Sequence, residues 1–137
     1  MNDRILRACL AVVATAGLGI AAYLTWVHYH PEALVCSAGG GCETVQQSKY
    51  AVLLGIPIAI YGLAAWASVL VFTAVDTPLA RVLVTAVALV SAAFAAYLIV
   101  LQIAVIDAIC VWCMSNDAGL VPLLVVLSLL RLREAPS

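Results

Sequence analysis

The chain is predicted to be an all-α integral membrane protein, a four-transmembrane-helix bundle whose outer loop, with a short helix in it, caps a site among the spans. Three observations predict this. Of its 137 residues, 66% are hydrophobic and 9% charged, with a mean hydropathy of +1.18. Soluble domains are roughly half apolar and a quarter charged. Four stretches, about 5–28, 56–75, 79–105 and 109–130, are long and apolar enough to cross a bilayer, which takes about 20 residues. The basic residues also segregate to one side of those spans. The length suits one domain, 1–137, and the net charge of −1 argues against a nucleic-acid partner.

The first apolar run continues from Ile5 to about Val27. That exceeds the roughly 7–15 residues of a signal-peptide core, and no clear cleavage motif follows, so it reads as a retained helix. The outer loop, 29–55, begins with a glycine-rich Cys36-Ser-Ala-Gly-Gly-Gly-Cys42 and continues through 43–54 without a breaker. The second half is expected to form a short interfacial helix. Gly55 and Pro57 punctuate the approach to span two. Asp76-Thr77-Pro78 separates spans two and three; Thr77 reads as an N-cap and Pro78 as the first helical residue. Small residues along span three, Ala86, Ala88, Ser91, Ala92, Ala93, Ala95 and Ala96, are expected to allow close helix approach.

Orientation follows from charge. Arg4, Arg7, Arg81, Arg131 and Arg133, five of the six basic residues, fall on one side of an even number of spans. By the positive-inside rule that side, with both termini, is cytoplasmic. Loop 29–55 and the link 106–109 then face outward. Trp26, Tyr29 and Trp112 lie at outer boundaries and read as interfacial anchors, and His28 and His30 as solvated or interfacial.

Five cysteines make two pairs and a spare. Cys9, alone in span one, reads as a small buried hydrophobe. Cys36 and Cys42 lie in the outer loop, and Cys110-Val-Trp-Cys113 heads span four. All four paired cysteines are expected outside the cytosol, where disulfides persist. A CxxC at a helix N-terminus suits disulfide exchange, because the helix dipole favours the attacking thiolate. Cys110 and Cys113 are i and i+3 and share a helical face, Cys110 nearer water and Cys113 one turn deeper. Exchange requires sulfurs to touch in sequence. Electrons are therefore expected to enter at Cys36–Cys42, pass to Cys110–Cys113, and leave to a lipid-soluble acceptor such as a quinone. Asp117, four residues beyond Cys113, falls on the same face inside apolar sequence. An intramembrane carboxyl is costly and by default functional, here toward the quinone. The other reading is a structural carboxyl paired with Asn116, Gln102 or Ser91.

The ordered set of Cys36-x5-Cys42, Val45, Ser48, Tyr50, Ala51, Gly55-Ile56-Pro57, Tyr61-Gly62 and Cys110-Val-Trp-Cys113 resembles the bacterial members of the vitamin K epoxide reductase family, in the form without a fused thioredoxin domain. The resemblance implies a four-helix bundle around a quinone of menaquinone, ubiquinone or vitamin K type. It implies a catalytic set of Cys36, Cys42, Cys110 and Cys113, with no metal. Cys113 is then the thiol that adds to the quinone, Cys110 exchanges with Cys42, and Cys36 meets a separate thioredoxin-fold partner outside the inner membrane. Animal members place a tyrosine where this chain has Asp117. A second bacterial quinone-linked family carries its CxxC in the first outer loop, the reverse of the order here. Two rival classes are a membrane protein holding zinc on its thiolates and a non-catalytic protein whose disulfides staple loops. Metal analysis separates the first from the redox reading, and a quinone-insensitive thiol state the second.

Overall fold

Helix α1 (Asp3–Tyr29) buries Leu6, Leu10, Ala14, Gly17, Ala21, Leu24 and Val27. Steps of three and four residues draw one inward stripe along the whole helix. The computed structural model describes residues 3–30, 49, 52–107 and 111–133. After α1 the described chain resumes in a small antiparallel hairpin, β1 (Val52–Leu53) and β2 (Ile56–Pro57). Helices α2 (Ile58–Val75) and α3 (Pro78–Val100) follow, and α3 runs on through a π-helical turn, Leu101–Val105. The last span is α4 (Val111–Met114), a second π-helical turn (Ser115–Leu120) and α5 (Val121–Arg133). Four helices among the described residues are long and apolar enough to cross a membrane: Asp3–Tyr29, Ile58–Val75, Pro78–Val105 and Trp112–Arg133.

The helices form a ring in which α1 packs on α2, α2 on α3, α3 on α5 and α5 on α1. Leu10, Ala14, Val69, Ala88 and Leu124 lie at its centre with at most 1% exposure. Outward faces carry aliphatic side chains such as Val12, Val71, Val90 and Val126, all more than half exposed. A water-soluble bundle does not expose apolar surface on every side; hydrocarbon accommodates it. Of the small residues on span three, Ala88, Ala92 and Ala95 face inward, whereas Ala86, Ala93 and Ala96 are exposed. Cys9 is half-buried against the core, as expected of a small hydrophobe.

The connection between spans two and three behaves as the sequence predicts. Thr77 adopts extended backbone, its Oγ1 accepts the Ala80 N–H at 3.0 Å, and Pro78 opens the helix. Replacing Thr77 by Ala is expected to cost about 1 kcal/mol, with Ser restoring the loss; unfolding in mixed micelles measures both, and an unchanged Thr77→Ala protein contradicts the assignment. Asp76 closes α2 in the left-handed region at φ 53°, its N–H donating to Phe72 O at 3.1 Å. Aspartate is one of the few non-glycine residues that visits this conformation readily.

Two sequence expectations need correction near the outer loop. The segment 43–54, expected as a short helix, is 3-10 helical at the exposed Lys49 but ends in strand β1 and a turn at 52–54; residues 43–48, 50 and 51 lie outside the described set. Span two therefore begins at Ile58 rather than about 56. The turn places Leu54 and Gly55 at φ 56° and 79°, the paired positive angles of a tight two-residue hairpin. Leu54 is a poor residue for that angle, which is why no turn signal marks it. Tyr61 holds the hairpin over the bundle, its hydroxyl donating to Leu53 O at 2.9 Å.

At the opposite end, the arginines used to orient the chain prove to be structural as well. Arg7 on α1 donates from Nε to Thr73 O (2.9 Å) and from Nη2 to Ala74 O (2.7 Å), capping α2. Arg81 on α3 donates to Arg131 O at 3.3 Å, near the end of α5. Asp3, at the start of α1, pairs with Arg81 (3.1 Å) and Arg131 (3.4 Å). Asp76 pairs with Arg81 (3.2 Å), Arg131 and, more loosely, Arg7 (3.8 Å). Asp3 at the start of α1, Arg131 at the end of α5 and the Arg7 guanidinium at the end of α2 sit where the helix dipole favours them; Asp76, the C-cap of α2, and Arg81, in the first turn of α3, are held by their ion pairs. Arg81 and Arg131 are only 4% and 2% exposed. Among the described residues, the start of α1, the inter-span turn and the end of α5 meet in this knot, so they lie on one side of the bundle, as the charge distribution predicts.

Candidate functional site

Toward the hairpin end the ring opens into a cavity of about 360 Å³ enclosed by all four spans. Its walls are largely aliphatic and aromatic, with Leu24 from α1, Ile58 and Ala65 from α2, and Phe94 and Leu98 from α3. Small-molecule pockets have this size and this balance of apolar wall and few polar groups. Leu53 and Pro57 of the hairpin also line it, so the fold that Tyr61 secures forms part of the wall.

The polar groups come chiefly from the last two spans. Cys113 lies in the first turn of the fourth span, half-buried and in the cavity wall. Asp117 follows on the π-helical turn, 6% exposed and also in the wall. Helical rise puts it about 6 Å deeper than Cys113. The shared face expected of these two residues is observed. Across from them Gln102, 2% exposed, projects from the π-helical turn of span three into the same cavity. In the first turn Ile106 N–H reaches Leu101 O at 2.7 Å, and in the second Val121 N–H bonds Asn116 O. Each wide turn holds an additional residue and rotates the helix beyond it relative to a regular α-helix. Such turns cluster at functional sites. Here both carry a buried polar side chain of the cavity.

Asp117 has Asn116 as a partner, one of those anticipated: Asn116 Nδ2 donates to Asp117 Oδ1 at 3.1 Å. Asn116 Oδ1 in turn accepts the Trp66 indole N–H at 2.9 Å. Trp66 is 3% exposed and sits mid-span on α2. Sequence reading passed over it. A tryptophan at the centre of a span, away from the interfacial belt, was the available signal, because its N–H must find an acceptor there. His28 was expected at the interface; it is half-buried and lines the cavity, so it belongs with the site residues. Trp26 and Tyr29 are exposed at 53% and 62%, as anchors are. Trp112 instead packs its ring on Tyr23, centroids 5.1 Å apart. The remaining residues of the expected catalytic set, Cys36, Cys42 and Cys110, lie outside the described residues.

The chain is thus a multi-pass membrane protein with a cysteine in the wall of an apolar cavity enclosed by its spans. The model of the vitamin K epoxide reductase family matches residues 8–128. The chain belongs to that family, one of quinone-linked membrane thiol oxidoreductases.

Proposed function

We propose that this protein oxidises thioredoxin-fold proteins outside the cytoplasmic membrane and reduces a quinone within it, supporting disulfide bond formation. The observation that carries this reading is Cys113 in the wall of the cavity, in a chain of a quinone-linked family. A quinone head is flat and largely apolar, with carbonyl oxygens that accept hydrogen bonds. Apolar walls with Asp117 and Gln102 at one end suit it. When bound, the quinone supplies a two-electron, two-proton acceptor.

The residues of this chain divide the work as follows. A reduced partner opens the Cys36–Cys42 disulfide, attacking Cys36. The freed Cys42 thiolate attacks Cys110, releasing Cys113 as a thiol or thiolate in the cavity wall. The partner's second thiol displaces Cys36 from their mixed disulfide, and Cys36 then displaces Cys110 from Cys42, restoring the loop disulfide; the freed thiols of Cys110 and Cys113 give up two electrons and two protons to the acceptor and close again as a disulfide. The apolar walls exclude water, and the hairpin with Tyr61 covers the outer end. Asp117 holds a proton near the acceptor's oxygens. The positive-inside rule favours the cytoplasmic side for the knot of arginines, which supports a cavity and Cys113 toward the extracytoplasmic leaflet of the inner membrane.

Roles within the loop pair are tested by Cys36→Ser. With dithiothreitol as donor this variant should still reduce a short-chain ubiquinone, whereas with a reduced thioredoxin-fold protein its turnover should collapse. Equal losses with both donors would remove Cys36 from the partner-facing role.

A further inference from the structure

We propose that Trp66 and Asn116 form a tether that decides which oxygen of Asp117 carries its proton, and that Gly17 is the seat on which the tether depends. The proposal deepens the quinone reading above and rests on it. An indole N–H donates and never accepts. The 2.9 Å contact from Trp66 Nε1 therefore fixes the Asn116 amide with its oxygen toward the ring. Its NH2 end must then face Asp117 Oδ1, 3.1 Å away. An amide NH2 cannot accept, so Oδ1 is held as the acceptor. When Asp117 is protonated, the proton sits on Oδ2.

The tether crosses three spans. Trp66 belongs to α2 and Asn116 and Asp117 to the π-helical turn of the last span. Gly17 on α1 lies beneath the indole. A Cβ at Gly17 would stand 2.2 Å from Trp66 Cε2, 2.4 Å from Cδ2 and 2.6 Å from Nε1. Those are atoms of a rigid ring buried in a packed core, and real Cβ atoms do not approach so closely. Gly17 is buried, its backbone is helical, and no turn requires it. Its missing side chain is the room the indole occupies. An alanine there must push the N–H off Asn116.

The chemistry served is proton placement. The two thiols of the last pair lose two electrons and two protons, and the quinone takes up both. Asp117 Oδ2 gives a proton toward the acceptor's oxygen and is reprotonated by one released from the thiols, so the carboxyl returns to its starting state. Trp66, Asn116 and Gly17 touch none of the reacting atoms in this scheme and are positioning residues.

The experiment uses the full chain in detergent micelles. Infrared spectra of protein without quinone, taken over a pH titration, follow the carboxylic C=O stretch that Asp117→Asn removes. In Trp66→Phe and Gly17→Ala this band is expected at a shifted frequency. In parallel, turnover of a short-chain ubiquinone should fall about fivefold in Trp66→Phe, the scale of one neutral hydrogen bond, while KM for dithiothreitol stays put. Added to Asp117→Asn, Trp66→Phe should cause no further loss. Asn116→Leu keeps both readouts available if Gly17→Ala fails to fold. An unshifted band in the tether variants, no Asp117 band at any pH, or losses that multiply in the double variant would each overturn the tether. Cys113→Ala separates the two readings: if it still turns over quinone, the quinone reading fails, whatever the infrared band does.

Discussion

Cys113→Ala is expected to lose quinone reduction by at least about a thousandfold, the scale seen when a reacting nucleophile is removed. The reason is placement. Cys113 lies in the cavity wall beside Asn116 and Asp117, under apolar side chains from every span. No other described cysteine lines that cavity. Cys9 packs against the core from α1, and Cys9→Ala is the matched control, expected to leave turnover unchanged. Steady-state reduction of a short-chain ubiquinone by dithiothreitol distinguishes them. Comparable activity in both variants would detach the cavity from the chemistry.

The second large effect is on stability. Asp76→Asn keeps the size of the side chain and its tolerance of the left-handed backbone, and removes only charge. Arg81 and Arg131 then share a single carboxylate, Asp3, and Arg7 keeps its two carbonyl acceptors at the end of α2. Breaking a buried pair from one side leaves an uncompensated charge and costs about 3–5 kcal/mol. Asp76 is 24% exposed, so screening lowers the expectation to about 3 kcal/mol. Reversible unfolding in mixed micelles measures it. A loss below about 1 kcal/mol would show that the knot orients the chain without holding it together.

How much of this was legible follows from what each feature depends on. The spans rest on apolar length, and the turn between the second and third on Thr77 and Pro78, both local properties. Their bounds moved by a few residues where neighbours intervened, as when the hairpin claimed Ile56 and Pro57. The shared face of Cys113 and Asp117 was readable from helical spacing. Less visible were features that exist only between segments. Arg7, Arg81 and Arg131 look like ordinary positive-inside charges until three helix ends meet. Nothing in the local sequence marks either π-helical turn, since an extra residue per turn is a response to packing. Leu54 at positive φ contradicts its own propensity. His28 looked interfacial because it stands at the end of an apolar run, yet the helix turns it toward the cavity. Trp66 carried the strongest overlooked signal, an indole N–H deep in hydrocarbon with no partner on its own helix.

The central claim is that electrons leave sulfur for a quinone at the last cysteine pair. The direct measurement is anaerobic: fully reduced protein carrying Cys36→Ser and Cys42→Ser is mixed with one equivalent of a short-chain ubiquinone, then alkylated and mapped by mass spectrometry. The expected result is one equivalent of hydroquinone, with Cys110 and Cys113 protected from alkylation as a disulfide. Hydroquinone formed while both thiols still react, or no hydroquinone at all, would contradict it.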